Sequence, residues 1–139
     1  MMHTVRFSVS IPAELAGAFD RLIEKHGYAN RSEAVRDLMR DYLVEREWEY
    51  GDHPVVGTAT IIYDHRRPEL PRALTKMQHE HHAAIVCTTH VHLDEHRCME
   101  VIVLRGSAER VQRIGSALIA ARGVKHGKLV CTTAGENLP

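Results

Sequence analysis

Apolar and polar residues alternate strictly near the start of the chain: Val5, Phe7, Val9 and Ile11, with Arg6, Ser8 and Ser10 between them. A period of two predicts a strand over residues 4–11 with one apolar and one polar face. The pattern changes at Pro12, a residue suited to the first turn of a helix. Leu15, Ala18, Phe19, Leu22 and Ile23 follow at helical spacing, and Gly27 supplies a stop. Asn30-Arg31-Ser32-Glu33 predicts a second helix start, with Asn30 as cap and Glu33 placed to reach back. Ala34, Val35, Leu38, Met39, Tyr42 and Leu43 form the apolar stripe of that helix. One strand and two helices cannot bury their apolar faces alone, and a lone strand leaves an open edge. Two copies that pair strands antiparallel and interlock helices solve both problems, so the segment reads as an obligate dimer.

Glu45 to Pro54 is polar, holds Gly51 and Pro54, and reads as a linker. Beyond it, Val55–Tyr63 is strand-like and Pro68–His82 is helix-compatible. Ala83–Leu93 and Cys98–Leu104 are apolar stretches separated by the turn-like Asp94-Glu95-His96-Arg97. Ser107–Ala121 is helical, with Ser107 as cap candidate, Val111, Ile114, Leu118 and Ile119 inward, and Gly123 as terminator. Leu129–Thr132 reads as a last strand. The order β-α-β-β-α-β is the ferredoxin-like arrangement. The expected class is therefore α+β: a β-α-α dimerisation module over residues 1–50 and a ferredoxin-like domain over residues 54–139.

Composition changes this picture little until the histidines are counted. With 44% hydrophobic and 26% charged residues, the chain of 139 reads as a soluble globular protein. It has no run long enough for a membrane span and no signal-peptide core, which places it in the cytoplasm. Three cysteines at irregular spacing make no disulfide framework; Cys87 and Cys131 are expected to pack in the core. The formal net charge is zero, and residues 1–51 hold seven Lys/Arg against nine Asp/Glu. The basic balance common among nucleic-acid binders is absent, so DNA binding must rest on local pattern. Six of the eleven histidines fall between His79 and His96.

Local pattern does offer a DNA-reading surface. An antiparallel pair of strands fits the major groove, where Arg6, Ser8 and Ser10 from both chains would face base edges. Backbone N–H groups near Asn30-Arg31-Ser32, at a helix start, are placed to hold a phosphate. The bland alternative is a solvated polar face on a dimerisation module. The histidines point to metal. His90 and His92 share one face of a strand, and a hairpin brings Cys98 alongside them. Two imidazoles and a thiolate suit zinc, copper, nickel or iron, and chemistry alone leaves zinc and nickel level. His79, from the same or a neighbouring chain, would complete four ligands. His81, His82 and His96 read as solvated side chains or accessory ligands.

Two resemblances sharpen these readings. The strand with Arg6, Ser8 and Ser10, the Gly27-Tyr28 turn and the run Asn30-Arg31-Ser32-Glu33-Ala34-Val35-Arg36 resemble ribbon–helix–helix repressors over residues 4–45. Gln78-His79-Glu80-His81-His82, Thr89-His90-Val91-His92, Cys98-Met99-Glu100, Val103-Leu104-Arg105-Gly106 and Arg122-Gly123-Val124-Lys125-His126-Gly127 resemble the sensing domain of the nickel-responsive regulator (NikR) family. That resemblance implies an ACT-type ferredoxin-like domain at the centre of a homotetramer, a dimer of dimers with DNA-binding modules at the flanks. It implies one nickel ion per chain in a planar site, with His90, His92 and Cys98 from one chain and His79 from its partner. It also implies a second cation between the domains, on Glu33 and Asp37 with backbone oxygens near Ile119, Ala121 and Val124. The metal-loaded form would bind operator double-stranded DNA and repress genes such as those for nickel uptake. Ligation of His79 would order its helix and the preceding His65-Arg66-Arg67 loop. Where some relatives carry threonines, this strand carries Arg6, Ser8 and Ser10, so the operator can differ.

Two other functions fit the sequence less well. A metalloenzyme needs an open coordination position and a general base. Four protein ligands close a planar ion, and Glu100, the nearest carboxylate, reads as an ordinary surface residue. An antitoxin would carry a disordered tail, whereas residues 55–132 read as folded.

Overall fold

The computed structural model describes residues 3–50 and 53–139. Gly51, one of the two residues that marked the expected linker, lies outside them. The chain divides into two compact units, one running to Asp41 and the other from Tyr42 onward.

In the first unit, helix α1 spans Ala13–Lys25 and begins after Pro12. It ends in a turn at Gly27, whose φ of 78° lies in the left-handed region that glycine enters without steric cost. Helix α2 spans Arg31–Tyr50, starting in the first unit and continuing past its boundary at Asp41. Asn30 caps it: its side-chain oxygen accepts the Glu33 N–H at 2.9 Å. Residues 4–11 do not form a strand in the single chain. Their alternation remains, but no second strand is present to take up their backbone groups. The apolar side of that segment is bare: Phe7 is 67% exposed, and Val5, Val9 and Ile11 are exposed too. Leu15 and Leu22 of α1 and Leu38, Met39, Tyr42 and Leu43 of α2 are also exposed.

The second unit is built on strands β1 (Val55–Asp64), β2 (Ile85–His92), β3 (Arg97–Gly106) and β4 (Val124–Thr133), with helices α3 (Glu69–Glu80) and α4 (Ala108–Ile119). The strands form an antiparallel sheet in the order β2-β3-β1-β4, giving the ferredoxin-like βαββαβ fold. Burial alternates along β1, with Val55, Ala59, Ile61 and Tyr63 inward. Ile102 and Leu104 of β3, Leu70 and Leu74 of α3, and Val111, Ile114 and Leu118 of α4 complete the core. Each such aliphatic side chain, fully removed from water, contributes about 1.5–3 kcal/mol before entropy is counted. Ser107 caps α4 as expected, accepting the Arg110 N–H at 3.3 Å. Gly127 is required by close approach: a Cβ there would meet the Ile119 side chain at 2.8 Å.

Three expectations need correction. Glu45–Tyr50 is not linker but the last turns of α2. Trp48 buries its ring there and donates its Nε1–H to the Thr132 carbonyl at 2.8 Å, which gives a polar stretch a reason to stay helical. Strand β4 begins at Val124, not Leu129, because antiparallel pairing with β1 extends past the apolar residues. Cys87 and Cys131 are exposed, since both sit on the edge strands β2 and β4.

Candidate functional site

The β2–β3 hairpin sets the candidate metal site. Its register places His90 opposite Glu100 and His92 opposite Cys98. Residues directly opposite in an antiparallel pair present their side chains on one face, so these four share a side of the sheet. Cys98 and Glu100 alternate with Ile102 and Leu104, and both are only 1% exposed. His90 on the edge strand is open, with 54% of its side chain in solvent, and His92 is exposed as well. The Cys98 Sγ lies 3.7 Å from His90 Nδ1. Two donors with bonds of about 2.0 and 2.3 Å to one ion stand less than about 4.3 Å apart, so this pair fits a shared metal.

The other His90 nitrogen faces a carboxylate: Nε2 is 3.5 Å from Glu100 Oε1. A histidine that offers one nitrogen to a metal carries its proton on the other, and an acceptor there fixes the ring. Glu100 is itself held. Tyr63 donates its hydroxyl to Oε2 at 2.9 Å, and Gln78 donates its amide to Oε1 at 2.7 Å. Gln78 in turn accepts the Thr88 hydroxyl at 2.8 Å. Burial, then the bond to Glu100, push the Tyr63 phenol well above its ordinary range, so it stays a donor. The sequence reading of Glu100 as a surface carboxylate is therefore overturned. Alternation from Cys98 through Ile102 was the signal that could have found it.

His79 lies exposed near the end of α3, next to the Gln78 that ties this helix to Glu100. Among the described residues, no group of three or more His, Cys, Asp or Glu side chains is drawn together tightly enough to hold an ion within one chain. His92 meets His65 edge to face, with ring centroids 5.5 Å apart. The sequence pattern, which marks His65 only as part of the His65-Arg66-Arg67 loop, gives no sign of this contact. In that loop Asp64 holds the Arg66 guanidinium at 2.5 Å and also accepts the Arg66 N–H at 3.0 Å, which keeps the Asp64 carboxyl well below the usual range. Asp94 organises the hairpin turn, accepting from the backbone of His96 and Arg97 and from the Arg97 side chain. Helix α3 is formed in the single chain.

The first unit holds the other candidates. Arg6, Ser8 and Ser10 are exposed, as are Asn30, Arg31 and Ser32. Arg31 donates twice to Asp20, from Nε and Nη2, each at 2.7 Å. Glu33 and Asp37 lie four residues apart, one above the other on α2. Asp37 is engaged: Tyr28 donates to one oxygen at 2.8 Å and Arg40 to the other at 3.1 Å.

These features define a two-module protein, a two-helix segment led by an alternating stretch and followed by a ferredoxin-like domain with a histidine–cysteine pair. Residues 56–132 match the family model described as the NikR C-terminal nickel binding domain, and residues 5–46 match that of ribbon-helix-helix proteins of the copG family. The chain is 56% identical over 138 residues to a Geobacter metallireducens protein and 54% identical over 137 residues to one from Pyrococcus abyssi. Each alignment covers 99% of both chains, and both relatives are provisionally named nickel-responsive regulators. In fold alone, the structure is similar to an uncharacterized Thermotoga maritima protein, TM1266, with a TM-score of 0.50 and 18% identity, over 57% of this chain and 98% of that one. The chain belongs to the nickel-responsive regulator family: it is a transcription regulator with a DNA-binding and a nickel-binding domain, not an enzyme. Among the described residues, no helix is long and apolar enough to cross a membrane.

Proposed function

We propose that the protein is a nickel-dependent repressor of nickel uptake genes, with nickel held by His90, His92 and Cys98 of one chain and His79 of another. The observation that carries this reading is the convergence of Cys98 Sγ and His90 Nδ1 at 3.7 Å, with His92 in register opposite Cys98. Three donors sit on one hairpin, and the imidazoles face outward, where a second chain has access. Bound nickel supplies a fixed link among these donors. The chain's own residues do the rest: the hairpin aligns the donors, Glu100 orients His90, and Gln78 fixes the end of α3 beside His79. The assembly is a homotetramer of ACT-type domains with one nickel ion per chain, flanked by ribbon–helix–helix dimers. The bare apolar faces of residues 5–11, α1 and α2 support the dimers. In each dimer Arg6, Ser8 and Ser10 read base edges of operator DNA, and Asn30, Arg31 and Ser32 hold phosphate. A second cation at Glu33 and Asp37 belongs to the same reading, and it would share the Asp37 oxygens with Tyr28 and Arg40. DNA as partner places the protein in the cytoplasm.

The test is spectroscopic. Nickel-loaded wild type should show thiolate charge-transfer absorption, and Cys98→Ser should lose it. Unchanged absorption in Cys98→Ser removes that residue from the ligand set. Sedimentation at micromolar concentration should give a tetramer, and a monomer rules out a ligand supplied by another chain.

A further inference from the structure

We infer that Asp20 competes with DNA phosphate for the Nε–Nη2 edge of the Arg31 guanidinium, so that Arg31 must give up an internal carboxylate before that edge can hold DNA. This rests on the DNA-binding reading above and adds a control to it. Arg31 opens α2, where the backbone N–H groups of residues 30–32 are proposed to hold phosphate, and its side chain belongs to the same helix end. Its Nε and Nη2 form a bidentate pair with the two oxygens of Asp20 on α1, both at 2.7 Å. That edge of the guanidinium fork suits a phosphate as it does a carboxylate, because the two present similar pairs of oxygens, while the Nη1–Nη2 edge is left open. A phosphate taken on the Nε–Nη2 edge competes with Asp20 for the same hydrogens, whereas one taken on the Nη1–Nη2 edge would leave the pair intact, with Asp20 as a buttress. Neither side chain is buried: Arg31 is 65% and Asp20 43% exposed, so exchange needs no opening of the fold. The pair holds the Asp20 carboxyl below its usual range, so the mask stays charged at neutral pH.

The sequence makes such a mask effective. Residues 1–51 carry more acidic than basic groups, so each available cation weighs heavily in attraction to the phosphate backbone. Masking Arg31 weakens sequence-independent binding more than operator binding. On an operator, contacts from Arg6, Ser8 and Ser10 hold the module in place while Arg31 changes partner. The mask thus favours specific over non-specific DNA.

The experiment measures affinity for a mixed-sequence duplex at fixed ionic strength, using full-length nickel-loaded protein in a double-mutant cycle. Asp20→Asn should tighten binding about two- to five-fold, the range that loss of one surface ion pair supports. Arg31→Gln should loosen binding and lower the salt slope by about one ion per protomer engaged. In an Arg31→Gln background, Asp20→Asn should have no further effect. Asp20→Ala serves as the second unmasking variant, and circular dichroism checks the fold of each. Binding weakened by both Asp20 variants would show that Asp20 buttresses Arg31 and overturn the proposal. A gain that persists without Arg31 would mean general charge repulsion and overturn it equally. Wild type that binds no DNA at all would sink the DNA-binding reading itself, and the mask with it.

Discussion

The two units of this chain solve the burial problem differently. From Tyr42 onward, Val55, Ile61, Tyr63, Ile102, Leu104, Ile114 and Leu118 are essentially closed to water within a single chain. Up to Asp41, Ile23 and Ala34 are the only buried residues among those described, while Phe7, Val9, Leu15 and Leu22 stand in solvent. The second unit is a complete fold with an incomplete site: its core is closed, but His90 and His92 lie open beside a buried cysteine. The first is an incomplete fold carrying a complete recognition pattern. In the assembly proposed above, both deficits are met by further copies of the chain, which would make metal binding and DNA binding depend on one assembly.

The largest expected effect breaks the comparison at the first unit. A charge on its bare apolar face, as in Val9→Glu, should abolish DNA binding, because a buried carboxylate at a strand–strand interface costs far more than a small module can offset. Nickel charge-transfer absorption should persist in this variant, since the second unit has its own core. DNA binding retained by Val9→Glu would show that the exposed apolar face is not the dimer seam.

A smaller effect sharpens the account of the second unit. Glu100→Gln keeps the shape but removes the acceptor charge facing His90 Nε2. Competition titration with a chelator should show nickel affinity reduced by about ten- to one-hundred-fold, the usual cost of losing the partner that orients a metal-binding histidine. Unchanged affinity would reduce Glu100 to a core residue that satisfies Tyr63 and Gln78.

The smallest effect concerns pH. Arg97 first, then the backbone N–H groups of His96 and Arg97, hold the Asp94 carboxyl well below its usual range. A depressed carboxylate contributes stability above its unfolded value of 3.8, and that contribution fades as pH falls toward the folded value. Asp94→Asn should therefore lower the melting temperature slightly at neutral pH, with the difference shrinking by about pH 2. A difference that grows on acidification would contradict the assignment.

Much of this was legible in the residues. Asn30 and Ser107 announced their helices because a side-chain oxygen before an apolar stripe has one good use. The hairpin carrying His90, His92 and Cys98 was legible because alternation and a short turn fix which side chains share a face. The end of α2 was hidden, since Glu45–Tyr50 is polar and only the fold shows where Trp48 goes. The start of β4 was hidden too: Lys125, His126 and Gly127 lack an apolar pattern, and pairing with β1 defines that strand. Glu100 was misread because a carboxylate is rarely buried, and its two partners come from β1 and α3, distant in sequence. A ligand supplied by another chain leaves no mark in the pattern of one.

The central claim is that the donors on the second unit control DNA binding by the first. It is tested most directly by titrating DNA from a nickel-uptake promoter with full-length protein, with and without nickel, for wild type and His79→Ala. Two sites can be coupled only if the metal binds the DNA-competent arrangement better. The account predicts that nickel tightens wild-type binding, and that His79→Ala loses most of this gain while keeping its fold by circular dichroism. Wild type that binds the promoter equally well with and without nickel, or His79→Ala that retains the full nickel-dependent gain, would contradict it.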